Sequence, residues 1–530
     1  MNKTDPLCVQ LLKSLILCSE KAAVIARTIK RQTGIFQTLV QVKDSTEANL
    51  RFSVDVKTLA DVLIQEVVKY DLNLLFPGFN DSVFGEENNR FSGSSGKTIT
   101  IQLSSRENLA DLLVDVLGND LDFANQLSEI CFRPLESFQT QFSVCNIWED
   151  VISNCNPLFK ITDIKYCDIG TFGVWIDPID STADYAQGQF DQFHFTSTTS
   201  SSTNLSGIEL ENLNQINHFF ENPTSLIRFY HGSLINVTIL LGLFDCSNGL
   251  PLIGVINQPF YLNNIRNSPN NNNSNNNNNN NNNDNQLFND EINSLYNYGR
   301  IFWGYNIIDS GNTLPITKYS NNCSTKTSLN PLDNLNFPKY LHFPDNFFDV
   351  LCPDRVFNEE KPILKLACSS IEFSRLTNLF HNYKDANQDL VNVVFLSSSG
   401  AGFKQLCVIL DQVDAFILME PNTFIWDTCG PHTIINSLGG GIIQLKYALN
   451  SIKLLLVQKQ LSNNYNIIIQ LIMNDLHKYQ INYNVIKSSE EIQTLNSVNL
   501  SKCCNRNGLL AYRNSLIASQ ILLHIALNQK

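Results

Sequence analysis

The 530-residue sequence predicts an α/β protein, with an α+β N-terminal part and a doubly wound C-terminal part. Three observations carry this. Apolar runs rich in β-branched residues, the longest Ile235 to Phe244, read as buried strands. Apolar residues at 59, 60, 63, 64 and 67 form a helical stripe directly after Arg51 to Thr58. In the second half, the apolar run Val391 to Leu396 meets Ser397-Ser398-Ser399-Gly400-Ala401-Gly402. A helix is expected from Phe403 and another strand at Ala415 to Met419.

Near the start, Asp5 can cap a helix and Pro6 can take its first position. Leu11 to Cys18 is apolar, but Lys13 interrupts it and Glu20 and Lys21 follow, so a helix is expected there rather than a leader. Thr58 stands where the cap of the next helix belongs, with Asp61 three residues on. Asp55 is delivered just before that helix; alone it reads as a solvated turn carboxylate. In Val83-Phe84-Gly85-Glu86-Glu87-Asn88 a strand end turns at Gly85 and two carboxylates emerge together. Adjacent carboxylates repel unless a cation or proton lies between them. An isolated Glu-Glu pair is usually a solvated loop, yet a second acidic turn downstream makes a metal the expected partner.

That second turn is Gly173 to Thr182. Val174 to Ile176 is a short strand that Pro178 is expected to end, because proline fixes φ and offers no N–H. Asp177 and Asp180 stand three residues apart, the Ile179 carbonyl is left available, and Ser181 and Thr182 lie where a helix would begin. These are hard oxygen donors, suited to Mg²⁺ rather than zinc or copper. The hydroxyls and following amides can hold a phosphate at a helix N-terminus. An ordinary acidic β-turn uses the same residue types.

Residues 192–228, rich in Ser, Thr and Asn, read as an insertion after this turn. Strands are expected at Asn236 to Phe244 and Pro251 to Gln258. The asparagine tract, 263–289, has almost nothing to bury and is expected to be a disordered surface loop. Chain length favours two domains: 1–262, α+β and carrying the acidic turns, and 290–530, α/β and completing the site. In the second, Gly400 and Ala401 open a strand-to-helix turn whose amides suit an anion, and Lys404 lies in the first helical turn. A cation there opposes the helix dipole, which a bound anion would offset. The glycines could equally serve only a tight turn. Asp427 is expected to open a helix running to Leu438, ended by Gly439-Gly440-Gly441.

Composition narrows the partners. A formal charge of −13 argues against nucleic acid and anionic membranes. No apolar run reaches the length of a membrane span. The 14 cysteines lack metal-ligand spacing, which fits free thiols in a reducing cytoplasm.

Asp177-Pro178-Ile179-Asp180-Ser181-Thr182 resembles the signature of the lithium-sensitive, magnesium-dependent phosphomonoesterases of the inositol monophosphatase superfamily. Gly400 to Lys404 resembles the phosphate-contacting loop of its polyphosphate 1-phosphatase and nucleotidase branches, and the Trp426-Asp427 pair is a further family marker. Asp55 to Gln65, Phe76 to Asn88, His432 and Asn507 to Arg513 resemble the inositol polyphosphate 1-phosphatase branch best. The resemblance implies a layered αβαβα sugar-phosphatase-like fold. It implies two or more Mg²⁺ held by Glu86, Glu87, Asp177, the Ile179 carbonyl, Asp180 and Asp427, with lithium as inhibitor. It implies catalysis by Asp55, Thr182 and Glu86, with Asp55 and Thr182 relaying the proton of an attacking water and no phosphoenzyme. Ser181, Thr182, Gly400, Ala401, Lys404, Asn422 and Ser369 would contact substrate, although Asn422 stands where the family has Thr. The activity implied is removal of the 1-phosphate from inositol 1,4-bisphosphate and inositol 1,3,4-trisphosphate, by a cytoplasmic monomer. A 3′(2′),5′-bisphosphate nucleotidase is the first alternative. A non-catalytic inositol-phosphate binder is the second, though it predicts a missing acid where none is missing.

Overall fold

A computed structural model describes residues 7–43, 55–93, 96–138, 169–188, 226–228, 234–262, 298–305, 363–385, 387, 389–458, 465–484 and 503–529. The asparagine tract and most of the expected insertion lie outside the described residues.

Helix α1 (Leu7–Lys30) is followed by the strand pair β1 (Val40–Val42) and β2 (Val56–Thr58), and then by α2 (Leu59–Leu75) and β3 (Val83–Gly85). A small hairpin, β4 (Arg90–Ser92) and β5 (Thr98–Thr100), precedes α3 (Arg106–Val114) and α4 (Leu121–Phe132). Then come β6 (Phe172–Asp180), α5 (Thr182–Gln187), β7 (Leu226–Arg228), β8 (Thr238–Asp245), β9 (Pro251–Leu262) and β10 (Tyr298–Tyr305). The second half alternates: β11 (Ile363–Cys368), α6 (Phe373–Phe380), β12 (Asn392–Ser397), α7 (Ala401–Ile409), β13 (Ala415–Leu418), α8 (Cys429–Ser437) and β14 (Gly441–Gln444). Helices α9 (Leu445–Gln458) and α10 (Tyr465–Asp475), strand β15 (Leu509–Tyr512) and helix α11 (Ser515–Asn528) complete it.

Two sheets organise these elements. The first runs β10-β9-β8-β6-β3, antiparallel except for β3 beside β6; the second runs β14-β15-β13-β11-β12-β7, parallel from β13 to β7. Helices α1 and α2 cover the outer face of the first sheet, α7 and α8 lie between the sheets, and α6, α9 and α11 cover the second. The result is the expected αβαβα layering, each helix burying one stripe against a sheet. Three apolar clusters fill the gaps: one under α1 and α2, one between the sheets around Trp175 and Trp426, one outside the second sheet.

The layers are tightest where α8 crosses the first sheet. A Cβ on Gly254 would lie 2.0 Å from the Gly430 carbonyl oxygen, so the helix backbone rests directly on the strands. This close approach lets Asp427, just before α8, reach the end of β6.

Chain order does not follow the sheets. Strand β10 lies on the C-terminal side of the expected boundary yet pairs with β9, while β7, from the expected insertion, pairs with β12 in the second sheet. Among the described residues no helix is long and apolar enough to cross a membrane.

Candidate metal centre

The sequence pattern places a strand end at Pro178, but β6 continues through it to Asp180. Asp177 pairs with Leu240 and Asp180 with Thr238, so three residues of β6 advance against two of β8. That is a β-bulge, where a residue without an N–H costs no ladder hydrogen bond. The bulge also decides where the two carboxylates point. In a regular strand, residues three apart point to opposite faces; the extra residue turns both carboxylates to one side.

There they meet Asp427. One carboxylate oxygen from each of Asp177, Asp180 and Asp427 lies within 4.8 Å of the others, and all three residues are buried. Asp180 is the most firmly held: it accepts from Thr238 Oγ1 at 3.0 Å, the Ala401 N–H at 3.1 Å and the Gly402 N–H at 2.8 Å. Asp427 accepts the Phe424 N–H at 2.7 Å, and its carbonyl receives Gln405 Nε2 at 2.9 Å. Its helix begins two residues later, with Thr428 at the cap position.

Burial, followed by the charges of Glu86, Asp180 and Asp427, drives the Asp177 carboxyl well above the usual carboxylate range. Asp427 is raised for the same reasons, burial first. Asp180 is raised by burial against the opposing pull of Lys404. Three buried acids aimed at one point repel one another unless a cation or a proton joins them. An all-oxygen donor set of this kind fits Mg²⁺.

Glu86 stands beside this trio and adds to the field on Asp177 and Asp427. However, it is also paired with a residue that the sequence pattern did not single out. Lys43 Nζ lies 2.6 Å from Glu86 Oε1 and 2.6 Å from Glu87 Oε1. The cation between the adjacent glutamates is thus a lysine side chain. Burial disfavours the charge of Lys43, but Glu86, Glu87 and Asp55 outweigh that and raise it. Glu87 is pushed up to about 8, chiefly by burial. Gln65 from α2 brackets its backbone, accepting the Glu87 N–H at 3.0 Å and donating to its carbonyl.

The carboxylate beside Thr182 also differs from expectation. Thr182 Oγ1 donates toward the Ile179 carbonyl at 2.9 Å and Asp61 Oδ1 at 3.3 Å. Asp55 is not the carboxylate there: its carbonyl receives the Lys43 N–H at 2.9 Å, and its charge acts on Lys43. Asp61 does cap α2, accepting the Thr58 N–H at 2.7 Å and the Thr58 hydroxyl at 2.5 Å on Oδ2. A cap of this kind needs one oxygen, so Oδ1 is left to face Thr182. Burial raises Asp61 to about 6.

The other expected contacts divide. Ser181 sits at the bend with φ 70° and gives its hydroxyl to Asp184 Oδ2 at 3.0 Å. The Ala401 and Gly402 amides, expected to face an anion, are turned onto Asp180, beside Gly400. Lys404 is buried and donates to the Ser398 carbonyl at 2.9 Å, with burial lowering its pKa. Asn422 lies in the turn after β13, its N–H on the Glu420 carbonyl at 2.9 Å. Ser369 is 3.5 Å from Glu372 Oε2, whose other oxygen receives the Met419 and Glu420 amides. His432 is a core contact, 2.9 Å from the Tyr483 hydroxyl and also bonded to Gln480.

The five layers and the buried acidic trio at the end of β6 are those of an α/β phosphatase. The chain is 30% identical to inositol polyphosphate 1-phosphatase of Homo sapiens over 442 residues, 83% of this chain and 84% of the relative. The Bos taurus protein of that name is 28% identical over 444 residues, with the same shares covered. The chain belongs to the inositol polyphosphate 1-phosphatase family. A 3′(2′),5′-bisphosphate nucleotidase 1 of Dictyostelium discoideum matches over 69 residues only, at 35% identity, covering 12% of this chain and 22% of the relative. Among solved structures, CysQ from Bacteroides thetaiotaomicron, a bacterial member of the inositol monophosphatase family, matches at 11% identity. It covers 63% of this chain and 78% of that one, with a TM-score of 0.21. No family model matches the chain.

Proposed function

We propose that this phosphatase is Mg²⁺-dependent and removes the 1-phosphate of inositol 1,4-bisphosphate and inositol 1,3,4-trisphosphate. The convergence of Asp177, Asp180 and Asp427 carries the reading, and the family supplies the substrate class. Asp177, Asp180, Asp427, Glu86 and the Ile179 carbonyl would hold the cations, with Glu87 contributing once Lys43 yields. Mg²⁺ bound there supplies Lewis acidity to the phosphoryl oxygens and to the attacking water.

The chain's own groups do the rest. Thr182 accepts a proton from the attacking water as its own hydroxyl proton passes to Asp61 Oδ1, which the bond to Thr58 holds in place. Burial of the trio excludes bulk water, so charge at the reacting phosphate meets fixed groups rather than solvent. Ser181 and Thr182 would bind the phosphate through their backbone amides, Gly400, Ala401 and Lys404 would line its far side, and Asn422 and Ser369 would face the inositol ring. The protein acts as a cytoplasmic monomer inhibited by lithium.

Phosphate release from inositol 1,4-bisphosphate and adenosine 3′,5′-bisphosphate, side by side with and without lithium, tests this. Turnover of the inositol compound, lithium-sensitive and lost in Asp177→Asn, is expected. Turnover of the nucleotide alone would favour the nucleotidase reading, whose support is the short match to the Dictyostelium discoideum protein.

A further inference from the structure

One carboxylate oxygen beside the metal turn gathers three donors from three distant parts of the chain. Asp184 Oδ2 accepts from Ser181 Oγ at 3.0 Å, from Asn236 Nδ2 at 2.9 Å and from Ser399 Oγ. Ser181 belongs to the metal turn, Asn236 lies just before β8, and Ser399 lies in the turn between β12 and α7. Asp184 is only 5% exposed, so these donors replace its lost hydration. Asn236 Nδ2 also lies 3.2 Å from Ser399 Oγ, which closes the cluster.

Ser181 is where this matters. Its φ of 70° and ψ of 48° lie in the left-handed region, which a residue with a Cβ adopts only at a cost. Something must hold it there, since it joins Asp180 to Thr182. The neighbouring Gly400 shows how closely the three segments meet: a Cβ there would lie 3.0 Å from the Asn236 carbonyl, 3.0 Å from Asp180 Oδ2 and 3.4 Å from Ser181 Cβ. No cation or substrate is needed to describe this clasp.

We propose that Asp184 is a positioning residue: its carboxylate clasps Ser181, Asn236 and Ser399 together, holds Ser181 left-handed, and so sets Thr182 relative to Asp180, which Thr238 and the Ala401 and Gly402 amides hold on their own. The catalytic part of this rests on the phosphatase reading; the conformational part does not. Because Ser181 and Ser399 spend their hydroxyl protons on Asp184, neither hydroxyl is the donor that a substrate phosphate meets first.

The test compares Asp184→Ala and Asp184→Asn with the wild-type chain. An asparagine oxygen can take the Oδ2 position and keep accepting, whereas alanine cannot. Crystal structures read the conformation: Asp184→Ala is expected to relax Ser181 to negative φ and part the Ser399 turn from it, while Asp184→Asn keeps both. Steady-state kinetics read the consequence: a tenfold or greater fall in kcat with KM changed less than threefold in Asp184→Ala, mostly recovered in Asp184→Asn. Calorimetric titration of the metal-free proteins with Mg²⁺ alone should show affinities within about threefold of one another. A left-handed Ser181 retained in Asp184→Ala, or unchanged kcat, would overturn the proposal. So would a loss that follows Mg²⁺ affinity instead. A wild-type protein inactive on every phosphate ester would sink the phosphatase reading, while the crystal structures would still decide whether Asp184 holds the turn.

Discussion

The Gly402 backbone meets the Asp180 carboxylate: the Gly402 N–H reaches Asp180 Oδ2 at 2.8 Å, and a Cβ on Gly402 would lie 2.8 Å from that oxygen and 2.4 Å from Thr238 Oγ1. The helix start orients a proposed metal ligand, and only glycine leaves room for it. Gly402→Ala should therefore push Asp180 off its amides and lower Mg²⁺-dependent phosphate release by a hundredfold or more, about 3 kcal/mol. Circular dichroism should show the fold intact. Near wild-type activity in that variant would rule out the contact as a requirement.

Asp61 and Asp55 make opposite predictions. Removing the carboxylate that faces Thr182 should cost roughly 10²–10⁴-fold in kcat, the usual worth of a positioned proton acceptor. Asp61→Asn should show that loss with Mg²⁺ binding retained. Asp55→Asn, whose carboxylate acts on Lys43, should stay within a few-fold of wild type. Equal losses in both would mean the contact between Thr182 and Asp61 is not the one used.

The acidic trio predicts a crossing of stabilities. Without metal, Asp177→Asn removes a carboxyl whose ionisation burial and the neighbouring acids oppose, and should raise the urea midpoint. With Mg²⁺ at about 100 times its dissociation constant, the wild type should gain about 2.7 kcal/mol and the variant almost none. Urea titrations with EDTA and with Mg²⁺ check both halves.

His432 supplies a pH dependence outside the acidic trio. Burial depresses its folded pKa to about 4, against an ordinary value of 6.5. The contribution of a neutral buried histidine is fully present above the unfolded pKa and is lost as pH falls from about 6.5 toward 4. The wild type should lose about 2 kcal/mol from this group between about pH 7.5 and 5. His432→Gln, which can keep hydrogen-bonding to its neighbours, should lack this component. Buried acids change stability in the opposite sense over the same range, so the difference between the two proteins in urea denaturation is the informative quantity. Parallel pH profiles would show that His432 does not titrate as its burial implies.

Much of the architecture was legible along the chain. The stripe on α2, the runs that became β8 and β9, and the alternation of β12, α7 and β13 are local periodicities, set by which face each element buries. The acidic turns were legible too, because Asp, Glu and Pro at short spacing act locally. The continuation of β6 through Pro178 was not, since a bulge exists only against its partner strand.

By itself the sequence determined the α/β layering, the family, and Asp177, Asp180 and Asp427 as the acids to watch. Tertiary structure alone decided which atoms meet. It put Lys43 between Glu86 and Glu87, Asp61 rather than Asp55 beside Thr182, the start of α7 on Asp180, and Asp184 across three chain segments. The physical reason is range. Periodicity and turn chemistry act over a few residues, whereas a charge or hydrogen-bond donor finds its partner across separations such as the 121 residues between Asp61 and Thr182, once packing has brought them within a few ångströms.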